Sequence, residues 1–94
     1  MYNKLIFKNK TATTIEDSMD FVVDKIASIQ NFGPEDLIIG IDEALEESDN
    51  YLVLKSGLVI TFNDATVSCE KIYFKTNSGT TDFQVAGYDK WDGI

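Results

Sequence analysis

The N-terminal apolar residues alternate with polar ones, a spacing that predicts a β-strand. In residues 2–8, Leu5 and Phe7 share one face and lysines flank them. Side chains of a strand point alternately to its two faces, so this period of two indicates a strand. Lysines are common on strands at the edge of a sheet, where they discourage unwanted pairing. We therefore expect residues 2–8 to form an edge strand.

The next apolar residues recur three and four positions apart, which favours an α-helix. The stripe consists of Ile15, Met19, Val22, Ile26 and Ile29. Thr13 and Glu16 have the spacing of a capping box, in which a hydroxyl and a carboxylate bond the first free amides of a helix. Gly33 is a typical residue just past a helix end. These features predict a first helix that ends near Asn31.

A second helix is predicted from Pro34 to about Ser48. Proline suits the first turn of a helix, where an amide hydrogen has no partner. The apolar side is formed by Leu37, Ile38, Ile41, Ala44 and Leu45. Gly40 disfavours a helix by about 1 kcal/mol, and the run "LIIGI" (37–41) is also compatible with a short buried strand. We expect helix here and keep the strand as the alternative.

From Asn50 onwards the apolar period is two, which predicts a series of strands. Residues 51–62 are predicted to form a hairpin in which Gly57 adopts a left-handed conformation and Leu54 pairs with Leu58. This register places the large aliphatic side chains together on one face. Two further strands are predicted in "VSCEKIYFK" (67–75) and "TDFQVAGYDKW" (81–91).

The predicted elements define one α+β domain over residues 1–94. Their order is β-α-α-β-β-β-β. Two helices packed on one face of a mainly antiparallel sheet form a two-layer sandwich, which buries the apolar side of each layer.

The charge is distributed unevenly along the chain. The net charge is −8, from sixteen acidic residues and eight lysines. Residues 1–12 contain three lysines and no acid, residues 13–50 contain eleven acids and one lysine, and residues 51–94 contain five acids and four lysines. The negative charge therefore belongs almost entirely to the segment predicted to be helical.

On helices, these acids would lie opposite the apolar stripes and form one negative face. The predicted partner-binding carboxylates are Asp17, Asp20, Asp24, Asp42, Glu43, Glu46 and Glu47. Like charges four residues apart slightly destabilise a helix, and a neutral solvent-facing surface normally mixes both signs. Two interpretations stay open: the acids keep the protein soluble, or they dock on a basic surface of a partner protein.

The docking interpretation predicts a non-enzymatic inhibitor or binding protein. Carboxylates at regular helical spacing can occupy the positions of phosphates, so the expected partner is a nucleic-acid-binding protein or a nuclease, and the chain itself is not expected to bind nucleic acid. In size and charge the chain is similar to small acidic inhibitors encoded by phages and mobile elements, and to toxin-immunity proteins. That similarity includes no residue-level motif, and it implies an anti-defence or immunity role in the host cytoplasm.

Two aromatic residues near the C-terminus are additional candidates for partner binding. Tyr88 and Trp91 are of the types enriched at protein interfaces. The alternative for Trp91 is that it folds back and covers the small core.

A structural or assembly protein that self-associates is the second hypothesis. The hairpin register leaves a half-apolar face opposite the helices, and such a face is typical of an interface. Its predicted members are Tyr51, Val53, Val59 and Tyr73. A homodimer would form through that face.

The composition argues against catalysis and against cofactors. The chain contains no histidine and no arginine, which removes the commonest general base and metal ligand and the usual bidentate anion ligand. The acidic segment lacks the EF-hand spacing. We expect no catalytic residue, no metal and no cofactor. No apolar run is long enough for a membrane span, and a lone Cys69 fits a buried thiol in the cytoplasm.

Overall fold

The computed structural model describes residues 4–63 and 67–89, and these form a β-sandwich. Eight strands are present in this part of the chain. They are β1 (Leu5–Ala12), β2 (Asp17–Val23), β3 (Lys25–Pro34), β4 (Leu37–Ile41), β5 (Leu52–Leu54), β6 (Val59–Thr61), β7 (Cys69–Lys75) and β8 (Thr81–Tyr88).

The strands form two antiparallel sheets of four strands each. Sheet A has the order β1-β8-β3-β6, and sheet B has the order β2-β7-β4-β5. Buried side chains of both sheets belong to one apolar cluster, in which Phe74 of sheet B and Phe83 of sheet A meet edge to face at 5.0 Å. Because side chains alternate along each strand, one face of each sheet packs in the core and the other face points to solvent. These solvent-facing sides are called the outer faces below.

The predicted α+β class and the order β-α-α-β-β-β-β are wrong, because the residues predicted as helices form strands. The first predicted helix is β2 and most of β3. In β2, Met19, Phe21 and Val23 are buried with a period of two, whereas Ile15 and Val22 of the proposed stripe are exposed. Their recurrence with the helical spacing is therefore coincidental in β2, whereas in β3 a bulge contributes to it, because an extra residue in a strand shifts the alternation by one position.

Both β2 and β3 contain a bulge, and the bulge in β3 produces a helix-like spacing of buried residues. In β2 the register with β7 shifts between Asp20 and Val23. In β3 the register with β8 shifts between Ile26 and Ser28, so Ile26 and Ile29 both face the core although they are three residues apart. A spacing of three therefore arises here from a distorted strand.

The second predicted helix is also absent, and the strand alternative for "LIIGI" is confirmed. These five residues form β4, which lies between β5 and β7 in sheet B. Pro34 is the last residue of β3 and follows a cis peptide bond with Gly33. A strand that is buried on both faces reads as a continuous apolar run, which explains why the periodicity of this segment is ambiguous.

The predicted hairpin pairing of residues 51–62 is wrong, although its turn conformation is confirmed. Gly57 has a φ of 80°, and the amide of Leu58 donates to the Lys55 carbonyl at 3.1 Å. However, β5 pairs with β4 in sheet B, whereas β6 pairs with β3 in sheet A. The turn therefore connects the two sheets, and the proposed pair of Leu54 with Leu58 does not form.

The described residues contain no helix that is long and apolar enough to span a membrane.

Candidate functional site

The most acidic segment of the chain is an ordered loop on the outer face of sheet B. Residues 42–50, called the acidic loop below, connect β4 to β5 and contain five carboxylates and no base. The loop turns back over Gly40 of β4, where a Cβ atom would collide with the Glu43 carbonyl and contact Leu45. The absence of a side chain at Gly40 therefore allows the loop to lie against the sheet.

Asp42 anchors the beginning of the acidic loop to β7. Its Oδ1 accepts hydrogen bonds from the amides of Glu70 and Lys71, each at 2.8 Å, and its own amide donates to the Lys71 carbonyl at 2.8 Å. Asp42 has a φ of 59°, a left-handed conformation that aspartate tolerates better than most residues. The Asp42 carboxylate has a structural role and is engaged within the protein.

Side-chain hydrogen bonds close the rest of the loop. Glu43 Oε2 accepts from Ser48 Oγ at 3.1 Å and from Asn50 Nδ2 at 3.0 Å. The amide of Leu45 donates to Glu16 Oε2 at 3.2 Å, which connects the loop to the segment before β2. The other oxygen, Glu16 Oε1, is buried and has no hydrogen-bond partner among the described residues. The loop is thus a defined surface with a further carboxylate beneath it.

A groove of about 400 Å³ lies beside the acidic loop on the outer face of sheet B. It is lined by Ile38, Leu45, Glu46, Glu47, Ser48, Asp49, Tyr51 and Lys75. Tyr51 is half-exposed, so one part of its ring is available for contact. A second groove of about 330 Å³ contains Tyr73 together with loop residues.

Three carboxylates around the first groove are free to bind a partner. Glu46, Glu47 and Asp49 are exposed, and none of their carboxylates has a hydrogen bond or ion pair with another described residue. Lys75 is the one basic residue among those that line this groove. The arrangement presents an excess of negative charge around an apolar floor and an aromatic side chain, which suits a lysine or arginine side chain.

The structure separates the other predicted partner-binding residues from this site. Asp17 and Asp20 lie on β2, the edge strand of sheet B, where Asp17 Oδ1 accepts from the Ser18 amide at 2.7 Å. Asp20 is 3.9 Å from the Lys71 ammonium. Asp24 lies between β2 and β3, at the end of sheet A, where its amide donates to the Tyr88 carbonyl at 2.9 Å.

Tyr88, one of the two predicted aromatic anchors, lies away from the groove. Tyr88 pairs with Leu5 and Lys25 in sheet A, and its side chain lies on the outer face of that sheet. It is therefore on the other layer of the sandwich from the acidic loop. Trp91 lies outside the described residues.

The predicted self-association residues do not share one face either. Val53 and Tyr73 are on the outer face of sheet B, and Tyr51 lies beside them in the groove. Val59 is on β6 in sheet A. The four residues were grouped by the assumed hairpin, and they separate because β5 and β6 belong to different sheets.

Three members of the site were not predicted from the sequence. Asp49 belongs to the acidic run 42–50, and this run was the feature of the sequence that could have indicated it. Glu16 was assigned to a helix cap, whereas it bonds the Leu45 amide 29 residues away. Lys75 reaches the groove only because β7 lies beside β4.

No group of three or more His, Cys, Asp or Glu side chains within residues 4–63 and 67–89 is arranged to hold a metal ion. Comparison of the chain with protein-family models, with curated proteins and with solved structures yields no match.

Proposed function

We propose that this protein is a non-enzymatic binding protein that recognises a basic surface of a partner protein through its acidic loop. The observation that carries the proposal is the group of three unpaired, exposed carboxylates around a groove that contains Tyr51. Carboxylates attract lysine and arginine side chains, and the face of a tyrosine ring adds a cation–π contact.

The order of the loop supports this function. Asp42 and Glu43 are engaged in hydrogen bonds that hold the loop in place, so the remaining carboxylates are presented from a constrained backbone. A preorganised surface loses less conformational entropy when it binds, which leaves more of the interaction energy for affinity. The loop acids thus divide into structural residues and residues free to bind.

Phosphate mimicry is not part of the proposal. That prediction depended on carboxylates at regular helical spacing, and the structure places these residues on a strand and in a loop. A basic protein surface remains the proposed partner. Direct binding of nucleic acid is not proposed, because phosphates and the free carboxylates repel each other.

The proposed compartment is the cytoplasm, or the host cytoplasm for a phage-encoded chain. Cys69 is a free, buried thiol, a state that suits a reducing compartment. An inhibitory or immunity role is one form of the proposed binding activity. Self-association through the predicted sheet face is not proposed, because Val53 belongs to sheet B whereas Val59 belongs to sheet A.

A defined basic peptide tests the site. A fluorescent hexa-arginine peptide is titrated into the wild type and into Glu46→Gln/Glu47→Gln, and amide chemical shifts are recorded by NMR. We expect the peptide to shift resonances of the acidic loop and Tyr51. Each lost exposed ion pair is worth about 0.2–1 kcal/mol, so the variant, which loses two, should bind roughly two- to thirty-fold more weakly.

The matched control is Asp24→Asn/Glu70→Gln, which changes the net charge by the same amount at exposed positions outside the groove. It should retain nearly the wild-type affinity. If both variants lose affinity equally, the peptide responds only to net charge, the acids serve solubility, and the proposed site is wrong.

A further inference from the structure

The open edges of the two sheets, β1 and β2, lie on the same side of the sandwich. Lys8 of β1 donates from Nζ to the backbone carbonyl of Asp20 on β2 at 3.1 Å. β1 is the first strand of sheet A and β2 the first of sheet B, so each pairs on one side only with another strand of the described residues. Stacked sheets are about 10 Å apart, so the two edges are close without being paired.

The backbone of β1 presents unused hydrogen-bonding groups along its full length. The Asp89 amide donates to the Lys4 carbonyl at 2.6 Å. The backbone N–H and C=O groups of the even-numbered residues of β1 therefore point towards β8. Because antiparallel strands alternate between bonded and non-bonded pairs, the N–H and C=O groups of Leu5, Phe7, Asn9 and Thr11 point away from the sheet. The register with β8 continues without a bulge from Leu5 to Ala12.

The edge of β2 is also open, although its Asp20 carbonyl already accepts one hydrogen bond from Lys8. The Asp20 carbonyl accepts a hydrogen bond from the Lys8 ammonium, which shows that this carbonyl points away from β7. The Lys71 backbone opposite Asp20 is engaged by Asp42 on the β4 side, in agreement with this orientation. The backbone groups of Ser18 and Asp20 therefore point to the open edge.

The two edges have opposite charges. The chain from Lys4 to Ala12 contains three lysines and no acid, whereas residues 16–24 contain four acids and no base. Lys8 and Lys10 lie opposite Val85 and Phe83 and so occupy the core-facing side of β1. Lysines in this position normally protect an edge, because pairing with an uncharged strand would bury them without counter-charges.

A strand that brings a carboxylate to the same side removes that penalty. On β2, Asp17 lies opposite the buried Phe74 and so occupies the core-facing side, as Lys8 and Lys10 do on β1. Asp20 lies on the outer face of β2 and adds negative charge to the same edge. The same edges also expose large apolar side chains: Leu5, Phe7, Ile15 and Val22. Exposed apolar residues concentrated in one region are typical of an interaction surface. The open backbone groups, the lysines and the exposed apolar side chains of β1 therefore all suit pairing with a strand that has the properties of β2.

We propose that two copies of this chain form a two-fold dimer in which β1 of each copy pairs with β2 of the other. A two-fold axis parallel to the strands, between the open edges of the two copies, brings each sheet A beside the sheet B of its partner. β1 and β2 run in opposite directions, so both contacts are antiparallel. The dimer contains two continuous eight-stranded sheets, and an isologous contact of this kind closes on itself. A contact of β1 with β1 is disfavoured, because it would oppose lysines to lysines.

The dimer does not depend on the acidic loop. The loop lies on the outer face of sheet B, away from the paired edges, so Glu46→Gln/Glu47→Gln is expected to leave the dimer unchanged. The two sheets B of the dimer face in opposite directions, so two acidic loops would be presented on opposite sides.

Charge reversal in two separate variants provides the main test. Lys8→Glu/Lys10→Glu makes both edges acidic, and Asp17→Lys/Asp20→Lys makes both edges basic. The wild type should sediment at twice its monomer mass of 10.5 kDa, and each variant alone as a monomer. An equimolar mixture should form a one-to-one heterodimer, because each acidic edge then meets a basic edge.

A wild type that stays monomeric at its highest soluble concentration, a variant that dimerises alone, or a mixture that stays monomeric would each overturn the proposal. Proline substitution gives an independent test if a charge variant does not fold. Asn9→Pro removes an outward amide of β1 without removing a bond to β8, and should yield a folded monomer. Thr61→Pro on β6, the opposite edge of sheet A, should remain a dimer. A dimer of Asn9→Pro would contradict the model of edge pairing.

Discussion

The hydroxyl of Thr81 donates a hydrogen bond to Asn31 Oδ1 at 2.6 Å, deep in the core and across 50 residues of sequence. Both residues are buried. Asn31 Nδ2 donates to the carbonyls of Glu35 at 2.8 Å and Leu54 at 2.9 Å, and Oδ1 also accepts from the Gly33 amide at 2.9 Å. Asn31 thus connects β3 and β8 of sheet A to β5 of sheet B, with each polar atom of its side chain satisfied.

We expect Asn31→Leu to destabilise the protein strongly. The substitution keeps a similar volume but leaves buried carbonyls and the Thr81 hydroxyl without their partner, which costs about 2–4 kcal/mol for several lost bonds in a buried network. For a domain of this size the midpoint of thermal unfolding should fall by about 10–20 °C. Gln30→Leu, one position earlier and on the outer face, should change stability by less than about 0.5 kcal/mol. Similar midpoints for the two variants would contradict the structural role of Asn31.

Gly40→Ala should displace the acidic loop while the core stays intact. The new Cβ would collide with the Glu43 carbonyl, so the loop must move away from sheet B, with a loss of about 1–3 kcal/mol. NMR shifts should change in the loop and Tyr51, and hexa-arginine affinity should fall. Ser18→Ala, on the outer face but on β2, serves as the control. Unchanged loop resonances in Gly40→Ala would show that the contact is not formed.

Asp36 should contribute to stability only above acidic pH. A hydrogen bond from the Lys55 ammonium at 3.1 Å and one from the Ser56 amide at 3.2 Å lower the pKa of Asp36 below the ordinary value of an aspartate. A lowered folded-state pKa stabilises the protein above the unfolded-state pKa, and this contribution disappears as the pH falls through the folded-state pKa.

Asp36→Asn should therefore be less stable than the wild type at neutral pH, and the difference should shrink as the pH falls below the unfolded-state pKa of aspartate, about 3.9. Thermal unfolding midpoints measured from about pH 2 to pH 7 test this expectation. Glu70→Gln, at an exposed residue whose carboxylate has no partner among the described residues, is the matched control. A constant difference across the whole range would be inconsistent with the lowered pKa.

Cys69 should be unreactive in the native protein. Burial, followed by the nearby Asp42 carboxylate, raises the pKa of the Cys69 thiol from 9.0 to about 12. The thiolate is the reactive form, so alkylation by iodoacetamide near pH 8 should be two to three orders of magnitude slower than in urea, on the order expected from this difference in pKa. Asp42→Asn should accelerate alkylation, and Glu47→Gln should not. Equal rates in native and unfolded protein would contradict this prediction.

The failed helix prediction shows what the apolar pattern measures. Each apolar position reports that a side chain faces the core, but a bulge in a strand and a turn of a helix can produce the same spacing. Ile26 and Ile29 both face the core because β3 bulges between Ile26 and Ser28. β-branched residues such as these favour strands, and their density in residues 22–29 was the local evidence against a helix.

The candidate site was predicted in part. The acidic run 42–50 is visible in the sequence, and it forms one surface feature because it is a single loop. The grouping of that run with Asp17, Asp20 and Asp24 failed, because it assumed that two helices turn their charged faces the same way. Glu16 and Lys75 lie near the loop because β2, β7 and β4 belong to the same sheet. The sequence does not specify which strands are neighbours.

The sequence by itself determined the alternation that forms β5 to β8, the positive φ of Gly57, and the segregation of basic and acidic residues into separate segments. These properties depend on local periodicity, local backbone preference and composition. Only the tertiary structure decided which strands pair, that β5 and β6 enter different sheets, and that β1 and β2 leave oppositely charged edges on the same side. The physical reason is that a strand forms its hydrogen bonds with distant segments, so its partners are chosen by packing of the whole core.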